Sequence, residues 1–494
     1  MLAVTAAVLL SGCAIHPKPF TDAERQRLAA TERTEMLSQQ EPLKGPITLD
    51  EALARAIRFN LDNRQKMMEE ALAQRQLDLA NFDLLPKLTA AAGYTSRNRE
   101  LASRSVLLNN PNETTVPPSF STDKDMHTAD LSFSWNLLDF GVSYYEAKEQ
   151  ADRVLVLQQR RRKVVQLLMQ QVREAYWQAA GAERIHDRIG PLLQQAQAAL
   201  DDSSREQQAQ VASPLDTLNY RHEMLDIMRQ LELVRDQLEE AKPRLASLMN
   251  LDPGQEFTLS PPAGFDEPHF DMSIAQMETT ALERRPELLE AGYNERISVN
   301  ETHKAMMKLL PGIQVELGEH YDSNSFLAFH TWRDAGLSVS WNLLNVLNMK
   351  NIRGAAKAQL DVAKVQREAL AMAVLTQVHV ARTELAAKRR QFELLKEMND
   401  VDQQILEHTR NAANANAIGK LNEIRAAAGA MMAELRLYES YGDLESSYGQ
   451  LLATLGLDPV PDSVQSHDLA ALERAIAEEQ KHWDELAQGD GSKS

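Results

Sequence analysis

The stretch LSFSWNLLDFG, residues 131–141, returns as LSVSWNLLNVL at residues 337–347. No other feature constrains this 494-residue chain as strongly, because a segment repeated at a fixed offset means that one architecture is written twice. Trp135 and Trp341 lie 206 positions apart, and the same offset pairs Leu131 with Leu337, Asp216 with Asn422, Leu238 with Leu444 and Leu245 with Leu451. Upstream a different offset holds, relating Thr48 to Ser273, Ala56 to Ala281 and Leu84-Leu85-Pro86 to Leu309-Leu310-Pro311. The first copy therefore has an insertion between Pro86 and Leu131, and its segment RNRELASRSVLLNNPNETTVPPSF reads as a long loop. The repeats cover residues 47–251 and 272–457, with a linker at 252–271.

Both repeats have the same order of parts. Thr48 and Ser273 stand where helix N-caps belong, with Glu51 and Gln276 three residues on to complete capping boxes. The spacing predicts a helix of about 37 residues, roughly 55 Å long, ending at the Leu-Leu-Pro triplet. A second helical run follows the decapeptide for about 70 residues, roughly 105 Å. Within it Val154, Leu157, Val164, Leu168, Val172, Ala175 and Ala179, and likewise Val362, Val365, Ala369 and Met372, keep the three-and-four spacing of a coiled-coil seam. The chain turns near VASPLD (211–216) and NAIGKL (416–421) and returns as a third helix, whose first copy buries Leu231, Val234, Leu238, Leu245 and Leu248.

Alternation identifies the segments between the helices as strands. Leu131, Phe133, Trp135 and Leu137 oppose Asp130, Ser132, Ser134 and Asn136; Leu337, Val339, Trp341 and Leu343 oppose Ser338, Ser340 and Asn342. Their partners alternate too, at Leu88, Ala90, Ala92 and Tyr94, and at Ile313, Val315 and Leu317. One such segment would fit an ordinary half-buried hairpin. Four of them, about ten residues each and flanked by very long helices, fit transmembrane β-strands around a wet interior. Phe133, Trp135, Val339 and Trp341 are then lipid-facing, the tryptophans in an aromatic girdle. Four strands cannot close a barrel, and an open edge is not tolerated in lipid, so other copies of the chain must close it. Two copies give eight strands and a filled interior; three give twelve and room for water.

The formal net charge of −18 argues against a nucleic-acid partner. Mean hydropathy is −0.41, and no run approaches the length of a membrane-spanning helix. The single cysteine, Cys13, ends AVTAAVLLSGCA, a short apolar run followed by small residues that reads as a secretory signal, although no Lys or Arg precedes it. Leu10-Ser11-Gly12-Cys13 resembles the bacterial lipobox, which implies that residues 1–13 carry the signal and that a lipidated Cys13 opens the mature chain. Ala14 after it favours sorting to the outer membrane. Residues 14–46 form an N-terminal extension, and 458–494 an acidic tail with one helical stretch, both expected to pack outside the helical part.

This architecture resembles the TolC-like outer membrane efflux protein family across residues 47–457. WNLLDFG followed by EAKEQA resembles the family's strand-to-helix junction, VREAYW (172–177) its mid-helix signature and RRPELLEA (284–291) its second-repeat opening. SPLDTLNYR and KLNEIRAA resemble its helical turn, and LASLMNLDP and LLATLGLDP its closing helix. The resemblance implies a mainly α chain with a small transmembrane β part, assembled as a homotrimeric twelve-stranded β-barrel continued by a twelve-helix α-barrel. It also implies an outer-membrane exit duct with a periplasmic adaptor and an inner-membrane RND or ABC-type pump, serving efflux or type I secretion. Departures are Leu61, where the family often has Pro, Asn345-Val346-Leu347 in place of Asp-Gly, and Gln210 and Asn416 where Gly is common. Asn422 and Arg425 stand where some members place an aspartate ring. The rival class is a lipid-tethered periplasmic coiled-coil scaffold without a pore.

Two turns at the far ends of such helices would form the periplasmic mouth. There Asp216, Asn422 and Arg425 are the expected gate, and Ser213 and Gly419 the expected adaptor-docking positions. No catalytic motif or cofactor site stands out, and no metal site is expected. The single cysteine excludes a CxxC zinc motif, and Met67-Met68, Met306-Met307 and Met431-Met432 are adjacent residues that point apart on a helix. His320 and His330 read as surface histidines of the second hairpin loop. Arg160-Arg161-Arg162-Lys163 reads as a solvated helix face, or as a tunnel ring if it faces the axis.

Overall fold

The computed structural model describes residues 17–114, 117–208, 213–262, 264–268, 270–415, 419–457 and 468–487. The chain runs α1 (Asp22–Leu37), α2 (Leu49–Phe59), α3 (Leu61–Phe82), β1 (Lys87–Ser96), β2 (Ala102–Ser103), β3 (Val106–Leu107), β4 (Asn110–Thr114), β5 (Ser119–Phe120) and β6 (Asp125–Asn136). It continues through α4 (Leu137–Gln208), α5 (Pro214–Leu248), α6 (Ile274–Arg284), α7 (Pro286–Met307), β7 (Gly312–Asp322), β8 (Thr331–Ser340), α8 (Leu343–Asn414), α9 (Lys420–Thr454) and α10 (Leu469–Ala487). Helices of 11, 22, 72 and 35 residues occur twice in that order. The long pair measures about 108 Å at 1.5 Å per residue. Cys13, Gln210 to Ala212 and Asn416 to Ile418 lie outside the described residues.

The first helix of each repeat is broken rather than continuous, by two different means. Pro286 has no N–H to donate and drives Arg285 out of the helical region, to φ −65° and ψ 127°. At the matching place Leu61 would allow the helix to continue, but Asn60 takes φ −59° and ψ 130°. Its Oδ1 accepts from the Asp62 and Asn63 amides at 3.0 and 3.2 Å, starting α3 afresh. Of the two predicted capping boxes only the second is complete. Gln276 returns to Ser273, whereas Glu51 turns to the buried Arg55 guanidinium at 2.8 Å and leaves Thr48 to cap alone.

The decapeptide proves to be a strand for half its length only. β6 ends at Asn136, whose Oδ1 accepts from the Leu138 amide at 2.9 Å, and β8 ends at Ser340, after which Asn342 accepts from the Leu344 amide at 3.2 Å. Leu137 and Leu343 therefore open helices and do not extend the strand faces, and Trp341 lies one residue past β8. Each "WNLL" is a strand end, an N-cap and a first helical turn. The returning helices α5 and α9 also end alike, in Schellman turns with Asn250 at φ 57° and Gly456 at φ 72°. Leu251 donates to the Ala246 carbonyl at 2.8 Å and Leu457 to the Leu452 carbonyl at 2.9 Å.

Helix α4 is the hub, lying against α3, α5, α7 and α9, while α8 lies against α6, α7 and α9. Its middle meets α9 at an aromatic cluster built from Trp177, Phe265, Phe392, Tyr438 and Tyr441, with the Trp177 and Tyr441 rings edge-to-face at 4.5 Å. Two glycines permit the approach. A Cβ on Gly181 would lie 2.7 Å from Tyr438 Cβ, and one on Gly442 would lie 3.0 Å from Trp177 Cβ. Burial pushes the Tyr441 phenol up, so it stays protonated and donates to the Asp266 carbonyl at 2.7 Å. Nearby, the buried Arg173 joins Glu445 at 3.1 Å and Gln480 of α10 at 3.1 Å. Helix α10 covers α2 through Leu469, Leu472 and Ile476. By contrast α1 buries none of its residues and is tied at its end, where Asn250 Nδ2 donates to the Met36 carbonyl at 2.8 Å.

Gly181→Val should force α4 and α9 apart and destabilise the fold by about 1–3 kcal/mol. Gly354→Ala, where nothing stands within 4 Å of the added Cβ, should instead stabilise it by about 0.5–1 kcal/mol. Denaturant titration of both variants measures the contrast.

Candidate functional site: the four-stranded sheet and the helical tip

The main sheet has the order β1-β6-β7-β8, antiparallel throughout, leaving β1 and β8 as unpaired edges among the described residues. Register assigns its faces. Leu88, Phe133, Leu317 and Ala335 form one transverse row, and Trp135, Val315 and Leu337 the next towards the helices. Val339 follows on the same face, opposite Ile313, and is largely exposed. Trp135 meets Phe140 edge-to-face at 6.0 Å, and Trp341 donates its indole N–H to the Leu309 carbonyl at 3.0 Å. Both tryptophans thus sit where strands meet helices, and Trp341 ties its junction to the turn that follows α7.

The opposite face is mostly small or polar, and one of its rows crosses all four strands at Ala91, Asp130, His320 and Trp332. His320 is therefore a strand residue. Its Nδ1 lies 2.6 Å from Asp130 Oδ1 and its Nε2 3.2 Å from Asp334 Oδ2, with the ring stacked on Trp332 at 5.2 Å. At the far end of the sheet the insertion forms two small ladders, β2 with β5 and β3 with β4. It is fastened to the second hairpin loop by Asn324, whose Nδ2 donates to the Ser121 carbonyl at 3.0 Å, and by Ser325, whose Oγ donates to Asp123 at 2.9 Å.

At the other end of the molecule, Ser213 and Gly419 occupy the N-cap positions of α5 and α9 and are exposed, with no side-chain cap at either helix. Asp216 lines a cleft of about 560 Å³ with Asp202, Ser203, Thr217, Tyr220 and Lys420. Arg425 does not meet Asp216. It donates to Asn422 Oδ1 at 3.3 Å and forms an ion pair with Glu223 of α5, tying the α4–α5 hairpin to the α8–α9 hairpin. Glu223 stands one heptad beyond Asp216, a spacing that places both on one face of α5. The basic run is neither a free face nor a ring of unpaired charge: Arg160 pairs with Glu290, Arg161 with Glu70 and Lys163 with Glu287, stapling α4 to α7 and α3.

Residues 52–251 match the family model described as outer membrane efflux protein. That first repeat is similar to the outer membrane efflux protein family, and the likeness covers 200 of the 494 residues. No curated protein sequence matches the chain. Solved structures with the same fold include the Campylobacter jejuni CmeC outer membrane channel, at 14% identity and a TM-score of 0.64, covering 95% of this chain and 97% of that one. The outer-membrane channel OprN aligns at 16% identity and 0.62, covering 83% and 89%. The open state of the Neisseria gonorrhoeae MtrE outer membrane channel aligns at 16% and 0.60, covering 83% and 88%.

If Arg425 and Glu223 act as one latch at the helical tip, Arg425→Ala and Glu223→Ala should raise single-channel conductance alike. The double variant should add little to either, and a full sum of the two effects would place the pair on separate paths.

Proposed function

We propose that this chain is a lipid-anchored outer-membrane channel, a passive exit duct that works as a homotrimer with a periplasmic adaptor and an inner-membrane RND or ABC-type pump. The observation that carries the reading is the open sheet joined end-on to very long helices. The protomer is a slab four elements wide: β1-β6-β7-β8 in the sheet, then α3-α4-α7-α8, then α5-α4-α9-α8. Its lateral edges are β1, α3 and α5 on one side and β8 and α8 on the other. Those same edge helices carry exposed apolar stripes at heptad-like spacing. Met68, Leu72, Leu79 and Phe82 mark α3; Leu215, Leu218 and Leu225 mark α5; Val362, Val365, Leu394, Met398, Val401 and Ile405 mark α8. Edge-to-edge closure of three copies pairs every strand edge and buries every stripe, giving twelve strands around water. The repeat boundaries at 47–251 and 272–457 follow the twofold element order.

Transport in this reading needs no chemistry from the chain beyond filtering and gating. Asp216, Asn422 and Arg425 sit where the helices end, so polar side chains from three copies would converge there and narrow the idle tunnel. Ser213 and Gly419 would meet the adaptor, since their helix starts are exposed and uncapped. Cys13 would hold the acyl chains that anchor the extension to outer-membrane lipid.

Reconstitution into planar bilayers tests the reading: purified chain should give stable single channels and cross-link as a trimer, and a scaffold would do neither. Phe133→Arg or Val339→Arg should cost about 2–4 kcal/mol at mid-bilayer and reduce assembled trimer, while Ser134→Arg, on the opposite face, should assemble and alter conductance. Val401→Glu should lower the trimer yield by breaking the α8 stripe. Cys13→Ser should abolish acylation, read by metabolic labelling, and leave barrel assembly intact.

A further inference from the structure

The inward face of the sheet is unevenly charged. Register places Asp130, Glu316, Asp322 and Asp334 on it, against Lys87 as its one lysine or arginine, at the helix end of β1. The strands' Arg333 points the other way and pairs with Glu319 at 3.1 Å. Two of the four acids are then held in place, one strand to either side of His320, by the ring contacts at 2.6 and 3.2 Å. Gly318 makes this arrangement feasible. A Cβ there would collide with His320 Nε2 and lie 2.6 Å from Asp334 Oδ1, so any other residue would push the ring off the second carboxylate. One imidazole between two carboxylates leaves net negative charge in either protonation state. Trp332 stacks on the same ring, fixing its plane, and projects the bulkiest side chain of the inward face at this level.

We propose that the Ala91–Asp130–His320–Trp332 row, with Asp334, is a charge-selective ring in the barrel lumen that favours passage of cations over anions. The inference rests on the trimeric-channel reading, which repeats the cluster around the axis. Fixed acids on a pore wall raise the local concentration of cations and lower that of anions within a Debye length, about 10 Å at 0.1 M salt and about 3 Å at 1 M. His320 is a positioning residue here: it spaces and orients the two carboxylates, and Gly318 gives it room.

The experiment is the reversal potential of reconstituted channels under a KCl gradient at low salt, with cross-linked trimer measured for each variant. Wild type should prefer potassium over chloride. Asp334→Asn should lower the permeability ratio, Asp130→Asn with Asp334→Asn should lower it further towards unity, and Ala91→Asp, which adds an acid to the same row opposite Asp130, should raise it. The preference should fade as salt approaches 1 M. An unchanged ratio in assembled Ala91→Asp and Asp334→Asn channels would overturn the ring and place selectivity at the helical tip or the outer loops. Failure of the wild-type trimer to conduct any ion would instead overturn the channel reading beneath it.

Discussion

A strand edge carries peptide N–H and C=O groups that must find partners, and in hydrocarbon no water supplies them. Each group left alone costs several kcal/mol, so the edges of β1 and β8 set the terms for the whole assembly. The sheet cannot curl shut on itself, because four strands are too few for a barrel. In the proposed channel those edges would therefore meet edges of other copies, and every element continuous with them would be carried along. Helix α3 leads into β1 and α8 continues from β8, so the same two flanks run down the helical part. Their exposed apolar stripes follow from this constraint.

Between strand and helix the chain has no room for a loop. Asn136 and Asn342 end one hydrogen-bonding pattern and begin the other within a residue or two, the side-chain oxygen taking the first free helical amides. A stiff junction transmits strand tilt directly into helix direction. Further down, α4 and α9 are held at close range by Gly181 and Gly442, and α4 is stapled to α3 and α7 by Arg160, Arg161 and Lys163. Those ion pairs are exposed and individually weak, but as a set they fix the register of neighbouring helices.

Much of this was legible in the sequence because length and period are local quantities. Strand alternation, heptad spacing and the offset of 206 between the tryptophans gave the element order, and the equal helix lengths follow it. What escaped depends on competition that a pattern does not show. The break at Asn60 arises because a side-chain amide captured two backbone N–H groups that helix propensity alone would have left in a continuous helix. The strand ends at Asn136 rather than at Leu137 for the same reason. His320 looked like a loop residue because the strand outlasts the apolar alternation, and only register places it between Asp130 and Asp334. Glu223 was one heptad away from a residue already singled out, yet its partner lies on a helix 202 positions on.

The two ends of the duct would then differ in kind. At the outer end every inward side chain stands on a continuous antiparallel ladder, and the loops above it are fastened through the buried Asn324. Moving that wall means breaking many backbone hydrogen bonds together. At the helical tip, α5 and α9 start without side-chain caps, and an exposed ion pair, Arg425 with Glu223, bridges the two hairpins there. Such a link exchanges readily with water and is worth at most about 1 kcal/mol. Helix ends held by weak links can shift while the helices above them stay packed, so an adaptor that bound the tip, as proposed, would have little to overcome. In the proposed channel a rigid, charged outer wall and a loosely latched inner mouth would divide the labour, one biasing what passes and the other deciding when.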